Sequence, residues 1–161
     1  MDAVRLAAPG DAAELARLQH AFNTEFDSPT PDPATLTERY ARLVGHPAAF
    51  ALLAETGDNP ENSPRTTGFA TVTLRPTIYC AGPLAVLDEL YVVPALRDCG
   101  IGTALLIAAI DEVRARGVGE MHINVDEIDV DTRRFYSRHG FVNIEPGTDY
   151  RMLLYVRELE N

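Results

Sequence analysis

The chain has 161 residues, 46% of them hydrophobic and 24% charged, which is enough apolar surface for one domain with a real core and too much for a disordered tail. Its 14 basic against 24 acidic side chains leave a formal charge of −10, which argues against a duplex-binding protein, whose affinity rests on Lys and Arg, and favours a small cationic substrate. No apolar run approaches the roughly 20 residues of a membrane span, and Met1-Asp2-Ala3-Val4 lacks the regions of a signal peptide, so a cytoplasmic protein with neither nucleic-acid nor membrane partners is expected.

Val4 to Ala7 reads as a first strand, and Asp11 with Glu14 as a capping-box-like helix start, followed by the helical stripe Leu15, Leu18, Phe22, Phe26. Asp32 as N-cap, Pro33 at the first helical position, the face Leu36, Tyr40, Leu43 and the stop Gly45 predict a second helix. Ala48 to Glu55 and Gly68 to Leu74 read as strands of a hairpin, joined by the Asn-, Pro-, Gly- and Ser-rich connection Thr56 to Thr66. The apolar run Leu84 to Val93 carries Asp88 and Glu89 in its middle, a cost no buried strand bears without a reason. A helix from about Gly100 to Arg116 follows, capped by Gly117, then a strand alternating Met121, Ile123 and Val125. An acidic loop, Asp126 to Asp131, leads to a helix through Phe135 and Tyr136 that stops at Gly140, and Tyr150 to Leu159 reads as a closing strand. The expected architecture is α/β: one domain over 1–161, a mixed central sheet with helices on both faces.

The most informative stretch runs from Val92 to Leu106, a strand that turns through Gly100 and Gly102 directly into a helix. Such a turn aims several backbone N–H groups and the positive end of a helix dipole at one point, which is an anion site. It lacks the Gly-Lys-Ser/Thr of an ATP loop and the third glycine of a dinucleotide fingerprint.

Arg97, Gly100 and Gly102 at this spacing resemble the acetyl-CoA loop of the GCN5-related N-acetyltransferases (GNAT), and Phe135-Tyr136 followed by Gly140-Phe141 is similar to that family's second block. The resemblance extends over nearly the whole chain. It implies a GNAT-type fold with acetyl-CoA as donor. The pyrophosphate would sit on the N–H groups of Asp98, Cys99, Gly100, Ile101, Gly102 and Thr103, with the pantetheine alongside Leu90, Tyr91 and Val92. Tyr136 matches the tyrosine that protonates the departing thiolate, a role open to a phenol. Two positions depart from the pattern: Asp98 stands where relatives have glycine and sets a carboxylate beside the pyrophosphate. Asp129 stands where relatives have asparagine, and serves either the cofactor or only as a helix cap.

An amine arrives as an ammonium and must lose a proton before it attacks, and Asp88 and Glu89 are the candidate bases. Adjacent strand residues face opposite sides, so one of them is expected to face the acetyl group; the resemblance favours Asp88, while Glu89 shares the face of Tyr91. Phe22, Glu25, Phe26, Tyr40 and Tyr79 are candidate walls of the acceptor pocket, to which acidic side chains including Glu25 and Asp27 lend a negative field. His20, His46, His122 and His139 lack metal-ligand spacing and no metal is expected; Cys80 and Cys99 are expected reduced, with Cys99 at a helix N-terminus open to alkylation. The reading is an N-acetyltransferase acting on a primary amine of a small cationic molecule such as a polyamine, an aminoglycoside-like compound or an amino-acid derivative. Its rivals are a protein N-terminal or lysine acetyltransferase and a non-catalytic acyl-CoA-binding module. By analogy with relatives, the last strand is a possible homodimer contact.

Overall fold

The computed structural model of the chain describes residues 3–57 and 65–159, which fall into two compact units, Met1–Ile123 and Asn124–Asn161. Local chemistry sets the helix starts. The Asp32 carboxylate accepts the N–H groups of Ala34 and Thr35, both at 3.0 Å, and Pro33 supplies a helical φ, so α2 runs Pro33–Val44 with Gly45 at its C-cap.

The start of the preceding helix, α1 (Ala12–Glu25), corrects the expected capping box. Asp11 stands at the N-cap, but its carboxylate takes two guanidinium nitrogens of Arg5, at 2.7 and 2.9 Å, and the Ala8 N–H at 2.7 Å, while Glu14 pairs with Arg17. A charged fork donating two bonds outcompetes a single backbone N–H.

Five strands of the first unit form one sheet in the order β1 (Ala3–Leu6), β2 (Ala49–Thr56), β3 (Arg65–Arg75), β4 (Leu84–Val92), β5 (Met121–Ile123). The first four are antiparallel, which the hairpin reading anticipated, and β5 joins β4 in parallel after the crossover helix α3 (Ile101–Ala115). Of the connection from Thr56 to Thr66, residues 58–64 lie outside the described residues, and Arg65 and Thr66 belong to β3.

Helices cover both faces of this sheet, as the pattern predicts. Ala51, Leu53, Phe69 and Tyr91 point to one face, where they bury Leu15, Ala16 and Leu18 of α1 and Leu36 and Tyr40 of α2. On the other face α3 comes so close that a Cβ at Gly68 would stand 3.2 Å from Leu105 Cδ1 and 2.5 Å from the Tyr91 carbonyl oxygen. Glycine at 68 is what permits that approach.

The second unit holds α4 (Val130–Arg138). Two expectations fail around it: β5 ends at Ile123 without Val125, and Tyr150–Leu159 forms no strand. Tyr150, Leu153, Leu154, Tyr155, Val156 and Leu159 are all largely exposed. Strands are made by pairing main-chain groups, which apolar patterning invites but does not supply. No described helix is long and apolar enough to cross a membrane.

Candidate functional site

The site is built where β4 and β5 part. Their ladder spans Ala85–Met121, Val86–His122 and Leu87–Ile123, and beyond Leu87 no described strand pairs with that edge of β4. On that side the main-chain groups of Leu90 and the N–H of Val92 meet no described strand, as an added strand-like ligand would use them, while Tyr91 turns its own groups toward β3 and the Val92 carbonyl accepts from Arg97.

At the parting point the strand bulges. On β3, Thr71 pairs with Glu89 and the next residue, Val72, pairs with Leu87, so Asp88 is an extra residue in the ladder. The bulge overturns the expectation that the two acids face opposite sides. Thr73, on the face of Phe69 and Thr71, favours the charged form of Asp88, and Gln19 of α1 favours that of Glu89. Both acids also act on the buried Tyr40 of α2, so both stand toward the α1–α2 face. Burial pushes the Asp88 carboxyl above the usual carboxylate range against the pull of Thr73. Burial likewise raises Glu89, with the Asp88 charge adding to it and Gln19 opposing it. A carboxylate whose charge is poorly solvated is a better proton acceptor, which is what an ammonium substrate requires.

Next to these acids an aromatic and ionic cluster closes the C-terminal end of β4. Phe22 stacks on Tyr91 at 5.0 Å and meets Phe26 edge-on at 5.2 Å. Arg97 lies over the Tyr91 ring at 5.6 Å, donates Nε to the Val92 carbonyl at 3.0 Å and holds both Glu25 oxygens through Nη1 and Nη2 at 2.7 and 2.8 Å. Two residues read separately from sequence, Arg97 as a cofactor group and Glu25 as a pocket wall, thus hold each other. Arg97 keeps the Glu25 carboxyl below its ordinary range, while burial raises the Tyr91 phenol and the charge of Glu25 adds to that.

From Arg97 the chain enters the anion loop. Asp98 takes φ of 60° and Gly100 a φ of 86°, two left-handed residues that turn the backbone into α3. The first intrahelical bond runs from Ala104 N to Gly100 O at 3.0 Å, so the N–H groups of Ile101, Gly102 and Thr103 precede it and face out of the helix start. The left-handed φ at 98 is one that glycine adopts without cost, and the Asp98 side chain is exposed. Cys99 is a free, exposed thiol and Cys80 is also free. The open edge of β4 and this loop fit an acyl-CoA: a strand-like pantetheine would find main-chain partners and a pyrophosphate would find N–H donors.

Of the remaining predicted residues, Tyr79 lies elsewhere in the first unit, and Tyr136 and Asp129 belong to the second. Tyr79 is 89% exposed and lines a surface groove with Arg75, Leu84, Glu120 and His122, at the β3–β4 connection rather than with Phe22 and Phe26. In the second unit Tyr136 is buried on α4, edge-on to Phe135 at 5.1 Å and to Phe141 at 5.5 Å. Asp129 sits at the N-cap of α4 without a side-chain cap bond. Sequence reasoning missed Gln19 and Thr73. Gln19 had a signal, a polar residue set within the apolar stripe Leu15, Leu18, Phe22; Thr73 had none, because only the bulge brings Asp88 to it. Among the described residues no three His, Cys, Asp or Glu side chains converge as a metal site would need.

The chain matches the model of the Acetyltransferase (GNAT) family over residues 14–141. A candidate acetyltransferase from Arthrobacter sp. FB24 is 43% identical to it, superposes with a TM-score of 0.86 and aligns over 98% of this chain and 96% of that one. An aminoglycoside acetyltransferase, meta-AAC0020, from an uncultured soil metagenomic sample shares the fold at 20% identity and a TM-score of 0.77, covering 99% and 97% of the two chains. A mycothiol acetyltransferase of Streptosporangium roseum is 34% identical over 68 residues, which is 40% of this chain and spans a fifth, 20%, of that protein's length.

Proposed function

Because the chain belongs to the GNAT acetyltransferase family, we propose that it moves an acetyl group from acetyl-CoA to the primary amine of a small cationic molecule, by direct attack in a ternary complex. The observation that carries the reading is the bulge at Asp88, which sets an exposed carboxylate, Asp88, and a half-buried one, Glu89, on one face where β4 loses its β5 partner.

In this mechanism acetyl-CoA supplies an activated acyl carbon. The first-turn N–H groups of α3 and those of Asp98, Cys99 and Gly100 hold its phosphates, and the edge of β4 from Leu90 to Val92 holds the arm that carries the thioester. The exposed Asp88 carboxylate attracts the ammonium, and Glu89 takes a proton from it, directly or through a water. The amine nitrogen then bonds to the acyl carbon as the carbon–sulfur bond breaks, and the second proton that the nitrogen loses in becoming a neutral amide passes to water. Tyr136 gives its phenolic proton to the leaving thiolate. Glu89, half-buried and on the face of Tyr91, is the stronger base candidate of the two; the exposed Asp88 is the better electrostatic guide.

The acceptor class rests on charge: Asp88 and Glu89, a formal charge of −10 over the chain, and no cation bonded to either acid among the described residues. Polyamines, aminoglycosides and basic amino-acid derivatives share that chemistry. The test is free-thiol release from acetyl-CoA with a panel of these amines and of basic peptides, beside a thermal shift with CoA alone. Turnover with one small-amine class supports the reading; turnover with peptides only moves the acceptor to proteins, and a CoA shift without turnover on any amine points to a binding module.

A further inference from the structure

We infer that Glu25 is a positioning residue of the donor site: by holding the Arg97 guanidinium it fixes the entry of the loop 98–100, and so acts on the cofactor phosphates from α1. The inference rests on the reading of that loop as the phosphate site of an acyl-CoA.

Asp98, Cys99 and Gly100 are all exposed, and Asp98 and Gly100 hold left-handed φ of 60° and 86°. Side-chain packing does not hold such a loop, so its shape is set by its two ends. The downstream end is secured in the core, where Ile101 and Leu105 of α3 are 3% and 0% exposed. The upstream end is Arg97. Its N–H donates to the Pro94 carbonyl at 3.3 Å and its Nε to the Val92 carbonyl at 3.0 Å, and both bonds close the turn back onto β4. The far side of the guanidinium is held by another element, since Nη1 and Nη2 donate to the two Glu25 oxygens at 2.7 and 2.8 Å. Glu25 is the last residue of α1, one turn beyond Phe22, whose ring stacks on Tyr91 at 5.0 Å. Arg97 lies over that same tyrosine ring at 5.6 Å. The aromatic contact seats the end of α1 on β4, and the carboxylate carries that support to the loop.

An arginine beside a diphosphate commonly binds it directly, through the same planar fork that pairs with a carboxylate. In this chain Glu25 already occupies the fork and Val92 the third nitrogen, so Arg97 grips a phosphate only by leaving its partner. The two roles have opposite consequences. If Arg97 positions the loop, loosening Glu25 weakens the hold on the phosphates. If Arg97 is a phosphate ligand, loosening Glu25 frees it and strengthens that hold.

The test is binding of CoA by calorimetry, and of pantetheine, which lacks the phosphates, by competition with it, to wild type, Glu25→Asp, Arg97→Met and the double variant. Glu25→Asp keeps the charge and shortens the reach by one methylene, so its effect belongs to the fork and not to the field. CoA is expected to bind about three- to fivefold more weakly in each single variant, the size of one partly exposed ion pair. Pantetheine should bind as to wild type, and the double variant should lose no more than Arg97→Met alone. Unchanged or tighter CoA binding in Glu25→Asp overturns the inference, and a loss confined to Arg97→Met makes the arginine a phosphate ligand. Equal losses of CoA and pantetheine overturn it too, because the tie then only seats α1 on β4. If Glu25→Asp fails to fold, Glu25→Gln takes its place with the same outcomes. Wild-type protein that binds CoA no more tightly than pantetheine removes the phosphates from the loop, which sinks the donor-site reading itself and the role of Glu25 with it.

Discussion

The guanidinium of Arg97 grips both carboxylate oxygens of Glu25, at 2.7 and 2.8 Å, across 72 positions of chain, while its Nε holds the Val92 carbonyl at 3.0 Å. One side chain therefore ties the end of β4 to the end of α1, beside the loop that enters α3. Lysine, with all its donors on one nitrogen, has no fork that reaches both Glu25 oxygens and the Val92 carbonyl at once. Arg97→Lys is expected to lower stability by about 1 kcal/mol or less, since both side chains are partly in water, and a double-mutant cycle with Glu25→Gln in urea should return most of that as coupling. Because Arg97 lowers the Glu25 pKa, the coupling is present at neutral pH and disappears as pH falls below the ordinary carboxylate range. Coupling that persists in acid would contradict the assignment.

Gly68 carries the close approach of β3 to α3. A methyl group there would meet the Tyr91 carbonyl at 2.5 Å, a backbone atom that cannot swing aside. Gly68→Ala is expected to cost about 2 kcal/mol, read as a lower urea midpoint at unchanged slope. An unchanged midpoint would mean the sheet and α3 are not so tightly apposed.

Glu89→Gln separates catalysis from stability. Loss of a general base lowers turnover about 100-fold or more. Stability should move the other way. The folded-state pKa of Glu89 is raised, so the ionised acid costs the fold stability above that value and nothing below the ordinary carboxylate range. The glutamine variant should melt higher than wild type at neutral pH, with the gap closing as pH falls toward 4. Equal melting points at both pH values would remove the burial argument.

Asp98 is exposed in a left-handed conformation at the start of the anion loop. Asp98→Asn keeps a residue tolerant of that conformation and removes the negative charge. Calorimetry should find CoA bound about two- to threefold more tightly, with the gain shrinking in high salt. Weaker binding by the asparagine variant would place the pyrophosphate elsewhere.

Tyr136→Phe is expected to lower turnover by about 10-fold or more while the thermal shift with CoA is kept. Unchanged turnover would dismiss Tyr136 as the acid and leave it the packing partner of Phe135 and Phe141.

Features governed by a few adjacent residues were legible in the sequence. Asp32 and Pro33 begin α2, Gly100 turns the chain into α3, and alternation marks β3, because caps, left-handed turns and strand patterning act within one or two turns of backbone. The conflict in β4 was also visible, as two acids inside an apolar run. Its resolution was not. The extra residue at Asp88 exists only in the ladder with β3, where it abolishes the alternation that would have separated Asp88 from Glu89. The partners Arg97–Glu25 and Gln19–Tyr40 are equally products of packing, since each side chain had other roles open to it until the helices settled on the sheet. Tyr150–Leu159 shows the reverse case, a strand-like pattern that forms no strand because no described main chain pairs with it along its length. Sequence by itself determined which conformations were cheap for each segment; tertiary structure decided which distant groups meet, because pairing and burial are properties of two surfaces and not of one stretch of chain.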